Sequence, residues 1–101
     1  MILLTGWLKK VMYEIAFSSL ALKGVARLRK SEPASYKKLV KILEELKVHP
    51  TTGTGHPEQL KGMSVPAWSR RLSGKHRLVY EIQETKVMVF ILSTYGHYDD
   101  H

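Results

Sequence analysis

The segment WSRRLSGKHRLVYEI, residues 68–82, concentrates side chains that could bind an anion. Five of them are basic and fall within eight positions: Arg70, Arg71, Lys75, His76 and Arg77. Like charges this close oppose folding unless an anionic partner binds them or the strands direct them into solvent. The whole chain has the same bias, because 16 Lys and Arg against 9 Asp and Glu give a formal net charge of +7. We therefore expect an anionic partner: a nucleic acid, an acidic protein or a membrane surface.

Length and composition predict one packed domain. The chain has 101 residues, of which 44% are hydrophobic, which suits a single core and excludes general disorder. Cysteine is absent, so disulfides and thiolate metal sites are excluded and a cytosolic protein is favoured. Residues 1–11 contain an apolar run that is far too short for a membrane span. We expect these residues to form a weakly structured N-terminal extension.

The pattern of apolar residues predicts a strand, a helical hairpin and three further strands. The stretch MYEIAFS reads as the first strand. Ser18 or Ser19 can cap a helix that ends near Arg29, and Pro33 suits the first turn of a second helix. After a loop over 49–62, the stretches AWSRRL, HRLVYEI and KVMVFILSTY read as strands. This order indicates an α+β domain with the helices packed on one face of a small antiparallel sheet.

A three-residue loop around Gly74 sets the register predicted for the basic hairpin, with Arg71 opposite Arg77. Alternation directs one set of side chains towards the helices: Trp68, Leu72, Leu78, Tyr80 and Ile82. The other set faces away: Ser69, Arg71, Arg77, Val79 and Glu81. In that second set Glu81 could act as a surface counter-ion for the paired arginines. Arg70 has the parity of the apolar set, and we expect its side chain to snorkel at the sheet edge.

Four short motifs follow one another in a specific order: PEQLKG, WSRRL, HRLVYEI and a terminal HY. In that order and at that spacing they resemble the YoeB-type toxins of the RelE/ParE toxin superfamily, over Met12 to Tyr98. The resemblance implies a RelE-like microbial RNase fold, in which an N-terminal strand and a two-helix hairpin precede a three-stranded antiparallel β-meander. It also implies a single toxin domain over 12–98 and a polar C-terminal tail over 99–101.

The resemblance further implies an activity and its partners. Members of this family are toxins of type II toxin-antitoxin systems and act as endoribonucleases that cleave mRNA in the ribosomal A site. By resemblance, this chain is expected to be a cytoplasmic, translation-inhibiting ribonuclease that needs no cofactor. Its expected partners are the ribosome with mRNA, a YefM-like antitoxin, and operator DNA bound together with that antitoxin. A homodimer is left open, and no membrane partner is expected.

The family motifs carry roles over to six residues: catalytic Glu58, Arg77, His97 and Tyr98, and the supporting basic residues Lys61 and Arg71. Metal-free RNA cleavage needs a base for the 2'-hydroxyl proton, an acid for the departing 5'-oxygen and a cation for the phosphorane. Glu58, the terminal His-Tyr pair and Arg77 can fill these roles in that order, although the base and acid roles could be exchanged. Family members end at the His-Tyr pair, whereas residues 99–101 follow it here.

The histidines do not predict a metal site. His49, His56 and His76 lack the spacing of zinc ligands, and the pair of His97 and His101 lies in a tail with no helical pattern to hold it. We therefore expect no metal ion.

Two other functions stay open at the level of the sequence. ParE-type toxins of the same superfamily bind and poison DNA gyrase, and they generally lack the motif glutamate and the terminal His-Tyr pair. A second alternative is a non-catalytic co-repressor that binds operator DNA with its antitoxin. Basic charge would suffice for a co-repressor, and Glu58 would not be needed.

Overall fold

Two helices cover one face of the sheet in the computed structural model, which describes residues 12–96. Helix α1 spans Ser19–Ser31, and the Ser18 hydroxyl caps it by accepting from the Ala21 N–H at 3.0 Å. One of the two predicted capping residues is thereby confirmed, and the helix ends two residues later than predicted. Helix α2 spans Pro33–Leu46 with its proline in the first turn, as expected.

Within residues 12–96, five strands form a single sheet in the order β1-β5-β4-β3-β2. Their bounds are β1 Glu14–Phe17, β2 Glu58–Gln59, β3 Ala67–Arg71, β4 Arg77–Gln83 and β5 Met88–Ser93, with a 3-10 turn at Glu84–Lys86 between the last two. The predicted α+β class and the antiparallel meander of β3, β4 and β5 are confirmed.

The sheet is mixed, whereas the sequence predicted an antiparallel one. Strand β1 pairs with β5 in parallel. Parallel pairing needs a long connection, and the chain between β1 and β5, which contains both helices and the other strands, provides one. Strand β2 lies inside the segment that was predicted to be a loop, and it adds a fifth strand at the other edge. The meander itself keeps the predicted hairpin register, with Arg71 opposite Arg77.

The core lies between the helices and one face of the meander. The helices contribute Ala21, Leu28, Leu39, Ile42 and Leu46, and the sheet contributes Leu72, Leu78, Tyr80, Ile82, Val89 and Ile91. The predicted inward set is confirmed at Leu72, Leu78, Tyr80 and Ile82, while Trp68 is half-buried against this cluster. Within residues 12–96 no helix is long and apolar enough to span a membrane. The predicted extension over 1–11 and the tail over 99–101 lie outside the described residues.

The prediction for Arg70 was wrong, because its side chain is fully buried and does not snorkel. Its guanidinium pairs with Glu45 on α2, with 2.6 Å between NH1 and Oε1. Its NH2 donates to the carbonyls of His49 at 3.0 Å and Thr52 at 2.8 Å, and its Nε donates to the Tyr80 hydroxyl at 3.2 Å. Such a set of acceptors satisfies the donors of a buried guanidinium. The network ties the segment after α2 to the sheet.

Candidate active site

The meander and strand β2 bring three predicted site residues onto the sheet face that points away from the helices. Glu58 lies opposite Ser69 on β3, and Arg71 lies two residues further along the same strand. Since side chains alternate along a strand, Glu58 and Arg71 point off the same face. Arg77 begins β4 directly opposite Arg71, so it shares that face.

The carboxylate of Glu58 and the guanidinium of Arg77 face each other, with 3.9 Å between Oε1 and NH1. That distance is too long for a hydrogen bond, so the two groups form a loose ion pair. The Nε of Arg77 is buried and has no hydrogen-bond partner within residues 12–96. The Glu58 side chain is 65% exposed and that of Arg77 is 21% exposed. The partly exposed part of the Arg77 side chain can therefore contact an anion placed beside the solvated carboxylate.

An open cleft of about 600 Å³ adjoins this pair. It is lined by Gly53, Gly55, His56, Pro57, Glu58 and Arg71. The Arg71 N–H donates to the Gly55 carbonyl at 2.7 Å, which fastens the cleft wall to the end of β3. Gly55 has φ +88, and an added Cβ would lie 2.8 Å from the Arg71 carbonyl oxygen. Glycine is therefore required at this point of the wall.

Glu45 on α2 binds the cleft wall at Thr54, between Gly53 and Gly55. Its carboxylate accepts from the Thr54 N–H at 2.9 Å and from the Thr54 hydroxyl at 2.6 Å. Burial opposes ionisation of this carboxyl, but the hydrogen bonds from Thr54 and the charge of Arg70 outweigh it, so the pKa of Glu45 is lowered. The carboxylate stays ionised at neutral pH and keeps the segment leading to Glu58 in place.

His56 is a cleft residue that sequence reasoning missed. It was considered only as a zinc ligand, yet it lines the cleft beside Pro57 and Glu58. Its backbone has φ 53, which is uncommon for a residue with a side chain. The available signal was its position two residues before the motif glutamate, and that signal does not specify a role.

The remaining predicted residues are placed differently. Lys61 is exposed in the turn after β2 and does not line the cleft. His97 and Tyr98 lie outside the described residues. The chain nevertheless reaches Gly96 beside the site, because the Arg77 N–H donates to the Gly96 carbonyl at 2.9 Å. Within the described range, no group of three or more His, Cys, Asp or Glu residues could hold a metal ion.

Comparison with known proteins identifies a family to which this chain is similar. A family model described as the YoeB-like toxin of bacterial type II toxin-antitoxin systems matches residues 17–98. The curated protein "Toxin YoeB" of Synechocystis sp. is 31% identical over 85 residues, which are 84% of this chain and 96% of that protein. Among solved structures, a YoeB dimer from Staphylococcus aureus has a TM-score of 0.74 at 28% identity, covering 86% of this chain and 99% of that one. A YoeB-YefM complex from the same organism has a TM-score of 0.72 at 29% identity, covering 85% and 98%.

Proposed function

This chain belongs to the YoeB-like toxin family of bacterial type II toxin-antitoxin systems, and from that membership we propose that it is a ribosome-dependent endoribonuclease. It cleaves mRNA in the ribosomal A site, without a metal ion, by attack of a 2'-hydroxyl on the adjacent phosphate. The observation that carries the proposal is the placement of Glu58 and Arg77, with 3.9 Å between carboxylate and guanidinium at the border of an open cleft.

The two facing side chains supply complementary steps of that reaction. Glu58 accepts the proton of the 2'-hydroxyl, and Arg77 stabilises the charge that develops on the phosphorane. These groups must lie within a few ångströms of each other, because the attacked phosphorus is adjacent to the nucleophilic oxygen. Arg71, directly opposite Arg77, adds positive charge for the flanking phosphates. Lys61 is proposed to contribute in the same way from outside the cleft.

The openness of the site gives a physical reason for a dependence on the ribosome. A carboxylate that is 65% exposed is strongly hydrated, so water competes with a 2'-hydroxyl for its oxygens. A second surface that covers the cleft would remove this water and hold the message in position for attack. In the proposal the ribosome with its mRNA provides that surface. His97 or Tyr98 then protonates the departing 5'-oxygen.

The proposed partners follow from charge and from the relatives. One solved relative is a complex with YefM and another is a dimer. We expect a YefM-like antitoxin whose acidic segment folds over this chain, since opposite charge accelerates the encounter with a protein of net charge +7. Operator DNA bound together with the antitoxin, and a homodimer, are further proposed assemblies. The reaction takes place in the cytoplasm, where translating ribosomes are found.

The decisive experiment combines a protein variant with a modified message. Translating ribosomes are incubated with the parent protein, with Glu58→Gln, and with Glu14→Gln as a control in an exposed residue of the opposite edge strand. The parent and the control should cleave in the A site and leave a 2',3'-cyclic phosphate. Glu58→Gln should lose most cleavage while it keeps ribosome affinity, because only the basic group is removed.

A message with a 2'-deoxy sugar at the cleaved position provides the second arm. It should resist the parent protein, since the internal nucleophile is missing. Cleavage of the deoxy message at the parent rate would contradict 2'-hydroxyl attack. A parent protein that leaves messages intact but inhibits gyrase supercoiling would instead favour the ParE-like alternative. Operator binding with antitoxin and no toxicity would favour the co-repressor.

A further inference from the structure

We propose that the open cleft beside Glu58 binds the base of the nucleotide whose 2'-hydroxyl attacks, and that the imidazole ring of His56 stacks on that base. The ligand of the cleft is therefore single-stranded RNA, and His56 binds RNA without taking part in proton transfer. The place of this base in the reaction rests on the proposed function. The contact between ring and base can be tested without any cleavage assay.

The backbone of His56 has a conformation that suits glycine better than histidine. Its φ is 53, and Val87 is the one other non-glycine residue within 12–96 that has a positive φ. A side chain in this region of backbone angles costs stability, and residues held there cluster at functional sites. Glycine at this position would avoid the cost, as it does at the neighbouring Gly55 with φ +88. A function for the His56 ring would offset that cost.

The ring of His56 has no partner in the part of the chain that the structure describes. The two other histidines there are engaged: Nδ1 of His49 is hydrogen-bonded to the Thr52 carbonyl at 3.2 Å, and Nδ1 of His76 accepts from the Gly96 N–H at 2.9 Å. His56 is exposed, and within 12–96 its ring makes no hydrogen bond, ion pair or ring contact. Its edge and both its faces are therefore open to a ligand in the cleft.

The cleft wall holds His56 between two fixed points. One residue before it, the Gly55 carbonyl accepts from the Arg71 N–H at 2.7 Å. Two residues after it, Glu58 pairs with Ser69 in the sheet. A ring that is carried by an anchored segment loses little conformational freedom when it binds a ligand. The wall thus presents the ring as a prepared surface.

The covalent structure of a ribonucleotide directs the base into this cleft. The base is attached to C1', and C1' is bonded to C2', which carries the attacking hydroxyl. A base whose 2'-hydroxyl contacts Glu58 must therefore lie close to Glu58. The attacked phosphate lies on the side of Arg77, which faces Glu58 at 3.9 Å and does not line the cleft. The cleft of about 600 Å³ is the space beside Glu58 that remains for the base.

The cleft wall favours stacking over a contact with phosphate. Arg71 and Arg77 already supply cations for phosphates, whereas the neighbours of His56 in the wall, Gly55 and Pro57, have no polar side chain. Unpaired RNA bases stack on exposed aromatic side chains, including histidine. Such stacking accepts any base, since every base has a π-face. A hydrogen bond from the ring to phosphate is the competing contact, and substitution distinguishes the two.

Two variants separate the face of the ring from its nitrogen atoms. His56→Asn suits a positive φ and keeps a polar group, but it removes the ring. His56→Phe keeps an aromatic face and removes both nitrogen atoms. Stacking predicts that the phenylalanine variant binds RNA better than the asparagine variant, and a phosphate contact predicts the reverse. His49→Asn is the matched control, because His49 is also exposed but does not line the cleft.

The first measurement is an NMR titration of the complete protein with a short single-stranded RNA whose 2'-hydroxyls are replaced by fluorine, so that no internal nucleophile remains. The ring protons of His56 should shift upfield as a base stacks on the ring. The same RNA without its bases should cause no such shift. His56 signals that stay unshifted by the RNA that carries bases would overturn the proposal.

The second measurement is the affinity for stalled ribosomes whose message has a 2'-deoxy nucleotide at the cleaved position, either intact or without its base. Removing the base should weaken binding of the parent about tenfold, within the range for one stacked base. His56→Asn should bind the intact message about tenfold more weakly than the parent and lose little more without the base. His56→Phe and His49→Asn should behave like the parent.

The outcomes separate this proposal from the proposed function. If the parent leaves a natural message intact on the ribosome, the proposed function fails, and the NMR titration still decides whether the His56 ring stacks on a base. If removal of the base weakens the parent and His56→Asn by the same factor, the ring and the base do not interact and the proposal is refuted. Tighter binding by His56→Asn than by His56→Phe would refute stacking and make His56 a phosphate contact.

Discussion

Replacing Glu45 by glutamine should strongly destabilise the protein, because Arg70 would keep its charge in the core without the carboxylate that pairs with it. Arg70 is fully buried, and 2.6 Å separates its NH1 from Glu45 Oε1. Glutamine has almost the same size as glutamate and retains one acceptor oxygen. The substitution therefore isolates the charge and the second acceptor, which binds Thr54.

The expected loss can be worked from these contacts. Breaking a buried ion pair by removing one partner costs about 3–5 kcal/mol. The lower end applies here, because the Glu45 side chain is 18% exposed and Arg70 retains the carbonyls of His49 and Thr52. A loss of about 3 kcal/mol is a large share of the roughly 5–15 kcal/mol that stabilises such a domain. It corresponds to a decrease in Tm of roughly 12–24 °C.

Chemical denaturation at neutral pH measures this loss, and the neighbouring residue provides a matched control. Glu44 on the same helix pairs with Lys47 at 3.1 Å, but both side chains are exposed. Glu44→Gln should cost less than about 1 kcal/mol, because surface ion pairs contribute little. If Glu45→Gln cost no more than Glu44→Gln, the buried pair would not stabilise the fold. Glu45 would then also not be needed to keep the cleft wall in place.

Three further outcomes follow from the same geometry. Arg77→Ala should reduce the cleavage rate on the order of 100-fold or more but weaken ribosome affinity much less, since other cations remain. Proportionate losses of rate and affinity would instead make Arg77 a simple electrostatic contact. The pKa values of Glu32 and Glu45 are lowered from 4.5, so the stability that these carboxylates contribute is complete above that value and is lost as the pH falls through the lowered pKa. Urea unfolding measured from pH 7 downwards should show this loss of stability in acid, and the loss should be smaller in Glu45→Gln. Gly24→Ala should destabilise the protein by about 1–3 kcal/mol, because the new Cβ would lie 2.2 Å from Thr94 Oγ1. This loss is expected even though alanine is the better helix former by about 1 kcal/mol. An unchanged or higher Tm would show that α1 and β5 can move apart.

Local chemistry in the sequence determined the two helices, the strands of the meander and the hairpin register. The apolar spacing of α2 and its proline in the first turn predict the helix that the structure contains. A loop of three residues around Gly74 is enough to place Arg71 opposite Arg77, because strand pairing leaves little choice once the loop length is set. The motif order was also enough to identify the family, since it depends on residue types and spacing along one chain.

Tertiary structure decided the placement of Arg70, the extra strand and the cleft. Parity put Arg70 on the inward face, but its acceptors at Glu45, His49 and Thr52 lie 18–25 residues earlier in the chain. Strand β2 has two residues, too few for any periodic pattern. The pairing of β2 with β3 brings Glu58 to Arg77, and the cleft wall also places His56 there. Burial and proximity of this kind depend on which distant segments pack together, and a local pattern of residues contains no information on that packing.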